Sequence, residues 1–446
     1  MAGAWPACPG ASTDARVSLA GSSPPATLAW LVWGLGAALY LIAFYQRVAP
    51  AVLVQELTRE FSLSGAALGN LSAFYFYSYV AVQIPTGLIA DRWGPRRLLT
   101  VGASLTAAGT LLFALAPTPW VANAGRMVIG AAAGVAFVAM LKLASHWMPA
   151  RRFAMASGMA LFIGVVGATL AGAPLRLAAD AVGWRIVMGV SAVATAIVAA
   201  AIWLVVRDDP AERGYTSYFP HDPGGSTGQS VWADLRAVLA YRNAWLLYVI
   251  PGGISCIALM FGGLWGVPFL TLHYGFSTPE AALVMSLLLV FWSAASIACG
   301  PLSQKLGSRK VPYIAGVVAS MILWALIVWV PGWSQPALIA LIVAVGITSS
   351  VFVLGFAFAK ESVPPRYAGT VSGIANMGVM TGGMVMQPLV GWMLDRNWSG
   401  ALTAGGARFY ELGAFQQAFS LVFLWGAISL TLLALTQETH CRQRLR

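Results

Sequence analysis

Apolar runs recur along this chain, and a run of about twenty residues is what a helix needs to cross roughly 30 Å of hydrocarbon. They fall at 28–54, 69–90, 98–117, 121–148, 153–175 and 184–206, then at 243–270, 280–303, 311–332, 336–360, 368–394 and 415–436. Only 9% of the 446 residues are charged and 59% are hydrophobic, whereas soluble domains carry roughly a quarter charged residues. The expected fold is an all-α integral membrane protein with twelve transmembrane helices in two six-helix bundles. Its expected parts are a tail at 1–27, a first bundle at 28–206, a linker at 207–242, a second bundle at 243–437 and a basic tail at 438–446.

A net charge of +11 would suit a nucleic-acid partner if the basic residues clustered on a soluble face. Instead they divide by side. With both termini placed inside, Arg92, Arg96, Arg97, Arg151, Arg152, Arg207, Arg213, Arg236, Arg242, Lys305, Arg309, Lys310, Lys360, Arg366 and the tail Arg442, Arg444 and Arg446 share one face. The other face holds Arg59, Arg176, Arg185, Arg396 and Arg408, the asymmetry of the positive-inside rule. The charge therefore reports topology, a multi-pass chain with both ends cytoplasmic and with lipid and not nucleic acid as the surrounding partner; the expected location is a bacterial inner membrane. Cys8, Cys256, Cys299 and Cys441 are scattered, without disulfide or metal-ligand spacing. No cofactor is expected, and no glycine cradle or nucleophile–base set supports an enzyme.

The chain repeats itself. "GLIADRWGPRRLLT" (87–100) aligns without gaps on "GPLSQKLGSRKVPY" (300–313), and "PARRFAMASGMA" (149–160) on "PPRYAGTVSGIA" (364–375). Two matches at nearly one offset argue for duplicated halves, and transporters place their sites at the interface of such halves. Between them, 207–230 turns polar and rich in Gly and Pro, and 231–245 shows the helical spacing of a short amphipathic helix.

Gly87, Asp91, Arg92, Gly94, Arg96 and Arg97 resemble the signature loop between the second and third helices of the major facilitator superfamily. The resemblance implies twelve spans, alternating access and a monomer, and it implies a latch in which Asp91 meets the N-terminal end of the eleventh helix near Gly369 and Thr370. The bland reading is that these arginines only hold topology. "GRMVIGAAAG" (125–134) resembles the family's fourth-helix motif, in which the arginine, here Arg126, is associated with proton coupling. Arg126 also sits where an arginine snorkelling to the interface is ordinary.

Arg47 is the residue that asks for a function. It lies roughly 12 Å inside the polar boundary at 1.5 Å per residue, and an intramembrane arginine costs at least about 2.5 kcal/mol, so it normally faces a cavity or partner. Its planar fork matches carboxylate, sulfonate or phosphate oxygens, unless it caps carbonyls freed by Pro50 or stacks on an aromatic. The stretch 45–97 is similar to the anion:cation symporter branch of the superfamily. That resemblance implies that Arg47 binds the anionic group of a small organic anion, such as sulfoacetate or a sugar acid, and that Tyr79 shares the site. Gln46 stands where sugar-acid members have an acid. Tyr40, one face with Arg47, and Tyr75, in a stripe with Ser72, Tyr79 and Gln83, complete the expected first-half site. From the second half come Asn376, Ser349 and Ser350, either hydrogen-bonding the neutral end of the cargo or joining helices. Trp265 and Trp292 are candidates to shape the cavity.

No Asp or Glu lies well inside a span, so a side-chain carboxylate as proton carrier is in doubt. A co-transported proton or cation leaves Arg126, Lys142 and His146 as candidates for coupling; Lys142 either charges the cavity or extends past His146 to the surface. The rivals are a superfamily exporter of drugs or metabolites, disfavoured for cationic cargo by the missing acids, and a transporter-like solute sensor, for which an output domain is missing.

Overall fold

A computed structural model describes residues 22–218, 231–403 and 406–443, except the side chains at 84, 87, 88, 90–92, 150, 154, 158, 161, 231–234 and 366. Among the described residues every regular element is a helix, with one isolated β-bridge between Leu402 and Arg408. Among the described residues ten segments are long and apolar enough to cross a membrane: Ala26–Val52, Trp93–Ala114, Pro119–Trp147, Arg151–Val182, Trp184–Val205, Arg242–His273, Thr278–Leu306, Lys310–Trp329, Gln335–Glu361 and Leu412–Leu435.

The other two runs anticipated as crossings, 69–90 and 368–394, are also helical, inside Gly65–Ala114 and Ala368–Arg396, but are not among the ten. Tyr, Ser, Asn and Gln dilute the first, and Gly, Thr, Asn and Gln dilute the second. The reason lies in what they touch. Numbered in chain order, with the second helix at 65–93 and the eleventh at Ala368–Arg396, these two pack on each other along the seam between the halves. A Cβ on Gly69 would come within 2.4 Å of the Gln387 carbonyl oxygen, and one on Gly391 within 2.1 Å of the Gly65 oxygen. Such helices face protein, not lipid, and small residues let their backbones meet. The sixth helix shows the opposite pattern, exposing Ile186, Val190, Val193, Ile197 and Leu204 as one apolar stripe.

Asp395 closes one end of the seam. Its carboxylate accepts from the N–H groups of Gly65 (2.7 Å) and Ala66 (2.8 Å), capping the second helix, and is held by Arg408 (2.9 Å) and the Tyr410 hydroxyl (2.7 Å). A carboxylate at a helix N-terminus satisfies orphan donors and complements the helix dipole. At the opposite end of the eleventh helix, a Cβ on Gly369 or Gly373 would meet no atom of the described residues within 4 Å. Among the described residues the halves are thus joined backbone to backbone at the Asp395 end, and those two glycines make no such contact.

Among the described residues the first, seventh and tenth helices depart from α geometry. The first helix passes into a 3-10 turn at Ala49–Val52 containing Pro50, the seventh carries a π-helical stretch at Ile257–Trp265, and the tenth breaks into a 3-10 turn at Ser350–Val353. Departures from α geometry gather where side chains must be redirected. The anticipated linker helix is present as Val231–Leu239.

Candidate functional site

Arg47 sits on the last turn of the first helix and is 6% exposed. Its guanidinium carbon lies 4.2 Å from the Phe44 ring centroid, 5.5 Å from that of Tyr75 and 5.4 Å from that of Tyr79. Nη2 donates to the Tyr75 hydroxyl over a long 3.5 Å, and that hydroxyl donates to the Ala43 carbonyl at 3.1 Å. Among the described residues no carboxylate and no backbone carbonyl takes the guanidinium, and Nε has no hydrogen-bond partner. Ring faces attract the cation, yet a buried charge with open donors is costly until an oxygen acceptor arrives.

Tyr75 and Tyr79 stack at 6.0 Å with planes 17° apart, and Asn376 of the eleventh helix reaches the Tyr79 hydroxyl at 3.5 Å. Tyr40 packs edge-on against Phe44 at 4.9 Å. One buried cluster joins Tyr75, Tyr79 and Ile129 to Leu259, Val379 and Met380, so this group straddles both halves. Phe44 went unremarked in the sequence, although its i, i+3 spacing from Arg47 places the two side chains on one helix face.

Other candidates are placed elsewhere. Gln46 is fully buried and turned toward the sixth helix, donating to Ser191 at 3.2 Å. Ser349 and Ser350 donate to their own helix at Gly346 and Ile347. Arg126 does not snorkel: it is 1% exposed and donates to the carbonyls of Gln46 (2.5 Å) and Ser72 (3.2 Å), tying the fourth helix to the first and second. The reason is visible in Gly130, where an added Cβ would strike the Tyr75 carbonyl oxygen at 2.0 Å; the fourth helix lies too close for its arginine to reach outward. His146 is buried at the far end of that helix, its Nδ1 2.9 Å from Asp209, and Lys142 is half-buried one turn earlier. A separate cleft of about 60 Å³ opens at the Asp395 end, lined by Gln55, Ser64, Trp265, Arg408 and Tyr410 among others, and shares no residue with the group around Arg47.

The signature loop turns at Gly94, whose φ of 77° and ψ of 159° suit glycine. The Arg96 N–H donates to Asp208 at 2.6 Å, and its guanidinium stacks on Trp203 at 4.2 Å while donating to the Trp203 carbonyl at 2.7 Å. Arg97 is exposed. Gly87 and the side chains of Asp91 and Arg92 lie outside the described residues, and with them the expected Asp91 contact. In the second half, Gly307 has φ of 62°, and Glu438 accepts from Ser308 Oγ (2.6 Å) and from the N–H groups of Arg309 and Lys310 (both 3.0 Å). Asp208 and Glu438 each stand three residues beyond the last helix of their half, Trp184–Val205 and Leu421–Leu435. The aligned repeat is therefore a repeat of docking geometry as well.

Comparison with known proteins agrees with this architecture. The profile described as Major Facilitator Superfamily matches residues 35–387. The chain is 24% identical over 386 residues to the "probable sulfoacetate transporter SauU" of Cupriavidus necator, covering 83% of this chain and 88% of that protein. It is 23% identical over 366 residues to a gentisate transporter of Corynebacterium glutamicum, covering 79% of each. Among solved structures, a bacterial homologue of the human lysosomal transporter Spinster, inward-facing and unoccupied, aligns with a TM-score of 0.74 at 18% identity over 95% of this chain and 100% of that one. The family profile spans most of the sequence, from the first helix to the eleventh, and on that ground the chain belongs to the Major Facilitator Superfamily.

Proposed function

We propose that this protein is a secondary transporter that takes up a small organic anion across the bacterial inner membrane by alternating access, with Arg47 as the anchor for the anionic group. The observation that carries the reading is the guanidinium itself, buried among Phe44, Tyr75 and Tyr79, with Nε unpartnered and no carboxylate beside it among the described residues. A cation in that setting lacks only an acceptor with two oxygens. Tyr79 and Asn376 bring the halves together at the same place, so a cargo bound there is felt by both. The names of the relatives, which include transporters of sulfoacetate, gentisate and galactarate or D-glucarate, support an anionic cargo.

In this reading both termini are cytoplasmic, the Asp395 end faces outward, and its closed seam belongs to a state open toward the cytoplasm. Asp91 would make the matching contact when the inside closes. Since no described carboxylate neutralises Arg47, the compensating charge comes with the cargo, and a co-transported proton or cation or a counter-anion completes the cycle. Arg126 acts as a structural tie between helices. The test is uptake of labelled anions into proteoliposomes: Arg47→Lys, which keeps the charge but not the fork, should reduce uptake by roughly 100-fold, about 2.7 kcal/mol, without loss of folded protein. Undiminished uptake would remove Arg47 from the site.

A further inference from the structure

Across the seam from Arg47, the second half presents rings and thioethers. Phe352, Phe356, Met377 and Met384 are half-buried against the cluster that contains Tyr75 and Tyr79. Phe352 stacks face to face on Trp292, with centroids 4.4 Å apart and planes 12° from parallel. Phe352 lies in the 3-10 turn Ser350–Val353, and beside that same break Ser349 and Ser350 direct their hydroxyls onto carbonyls of the tenth helix. The Ser349 and Ser350 protons are thus engaged within their own helix, and flat apolar faces stand beside them. The Trp292 indole N–H is buried without a hydrogen-bond partner among the described residues.

A site of this composition treats two kinds of anion differently. A sugar acid would give up the hydration of several hydroxyls at a wall of rings and thioethers, leaving it to the Tyr79–Asn376 pair and the unpartnered Ser72 Oγ of the first half, an imbalance that disfavours it. A flat apolar anion would keep its ring against ring faces in offset or edge-on contact while its carboxylate meets the fork. Resting on the anion-carrier reading above, we propose that the cargo is an aromatic carboxylate. Its carboxylate sits on Arg47, its ring lies against the Phe352–Trp292 pair, and where the ring bears a hydroxyl that oxygen accepts from the Trp292 indole N–H.

The experiment is a thermal-shift titration of the purified full-length protein with benzoate, 4-hydroxybenzoate, gluconate and sulfoacetate, since a ligand stabilises the state it binds by mass action. The two aromatic acids should saturate at the lowest concentrations, Arg47→Gln should abolish their effect, and Phe352→Ala should weaken them roughly tenfold, about 1.4 kcal/mol. Phe352→Leu, which preserves volume, guards against loss of folding and should also lose the aromatic preference. Saturation by gluconate or sulfoacetate at lower concentration, dependent on Arg47 and indifferent to Phe352, would overturn the aromatic cargo and leave the anion carrier standing. If no anion acts through Arg47, both readings fall together.

Discussion

The loops after the second and eighth helices are copies in sequence and in docking, and they differ in how firmly they are held. In the first half Asp208 accepts the N–H of Arg96 and lies so close to Gly94 that a Cβ there would fall within 2.5 Å of its carboxylate. Burial pushes the Asp208 carboxyl above its usual range, with the Arg96 N–H pulling the other way. In the second half burial also works against Glu438, yet the Ser308 hydroxyl and the N–H groups of Lys310, Arg309 and His440 outweigh it and bring the carboxyl down to about 2. Arg309 is pinned further by Glu361 at 2.6 Å. One copy is a clamp with several charge-assisted bonds, and the other is a joint whose own carboxylate is uncomfortable when ionised. The comparison teaches that a duplicated turn keeps its backbone geometry while its energetics diverge. The weaker joint belongs to the loop that carries Asp91.

The contrast breaks most visibly at the glycines. Gly94→Ala should cost about 3 kcal/mol in unfolding experiments in mixed micelles, because its dihedrals are nearly glycine-only and the methyl would strike Asp208. Gly307→Ala should cost only about 1 kcal/mol, since its φ of 62° and ψ of 19° lie in the left-handed region other residues visit and nothing stands within 4 Å. Equal losses would sink the distinction.

Next in size is Glu438→Gln, expected to remove about 2 kcal/mol at pH 7. A carboxyl depressed to about 2 from roughly 4.3 when unfolded contributes stability that is complete above about pH 5 and is lost as pH falls toward 2. The gap between variant and wild type should therefore narrow in melts taken from pH 7 to pH 3.5, and a constant gap would contradict it. Smallest is Asp208→Asn, within about 0.5 kcal/mol at pH 7, because Asn still accepts from Arg96 and spares a buried charge. Here the folded carboxyl lies above its unfolded value, so ionisation costs stability and the wild type should gain on the variant as pH falls through the folded pKa. A shift in the same direction as that of Glu438→Gln would show that the two joints are alike.

Much of this was legible in the residues. The apolar runs announced a helical membrane protein, the aligned glycines marked the two turns, and Arg47 with Tyr75 and Tyr79 announced a charged site because no lipid-facing helix tolerates that combination cheaply. What could not be read depends on distances between helices. Arg126 looked like a residue at a mouth, since depth along one helix says nothing of the neighbour that Gly130 lets approach. Ser349 and Ser350 looked available because back-bonding to a helix carbonyl leaves no trace in spacing. Asp395, one residue past the run 368–394, went unremarked in the sequence, and only the packed helices reveal that it caps a helix 330 residues away.

The contact of Gly65 and Gly69 with Gly391 and Gln387 is main chain on main chain, so it contains no rotamer that can yield. Any bulk added there has nowhere to fold away and would behave as a doorstop, propping that face of the carrier ajar. The same bareness means that parting the surfaces wets little hydrocarbon, which lowers the work of separating a seam this tight.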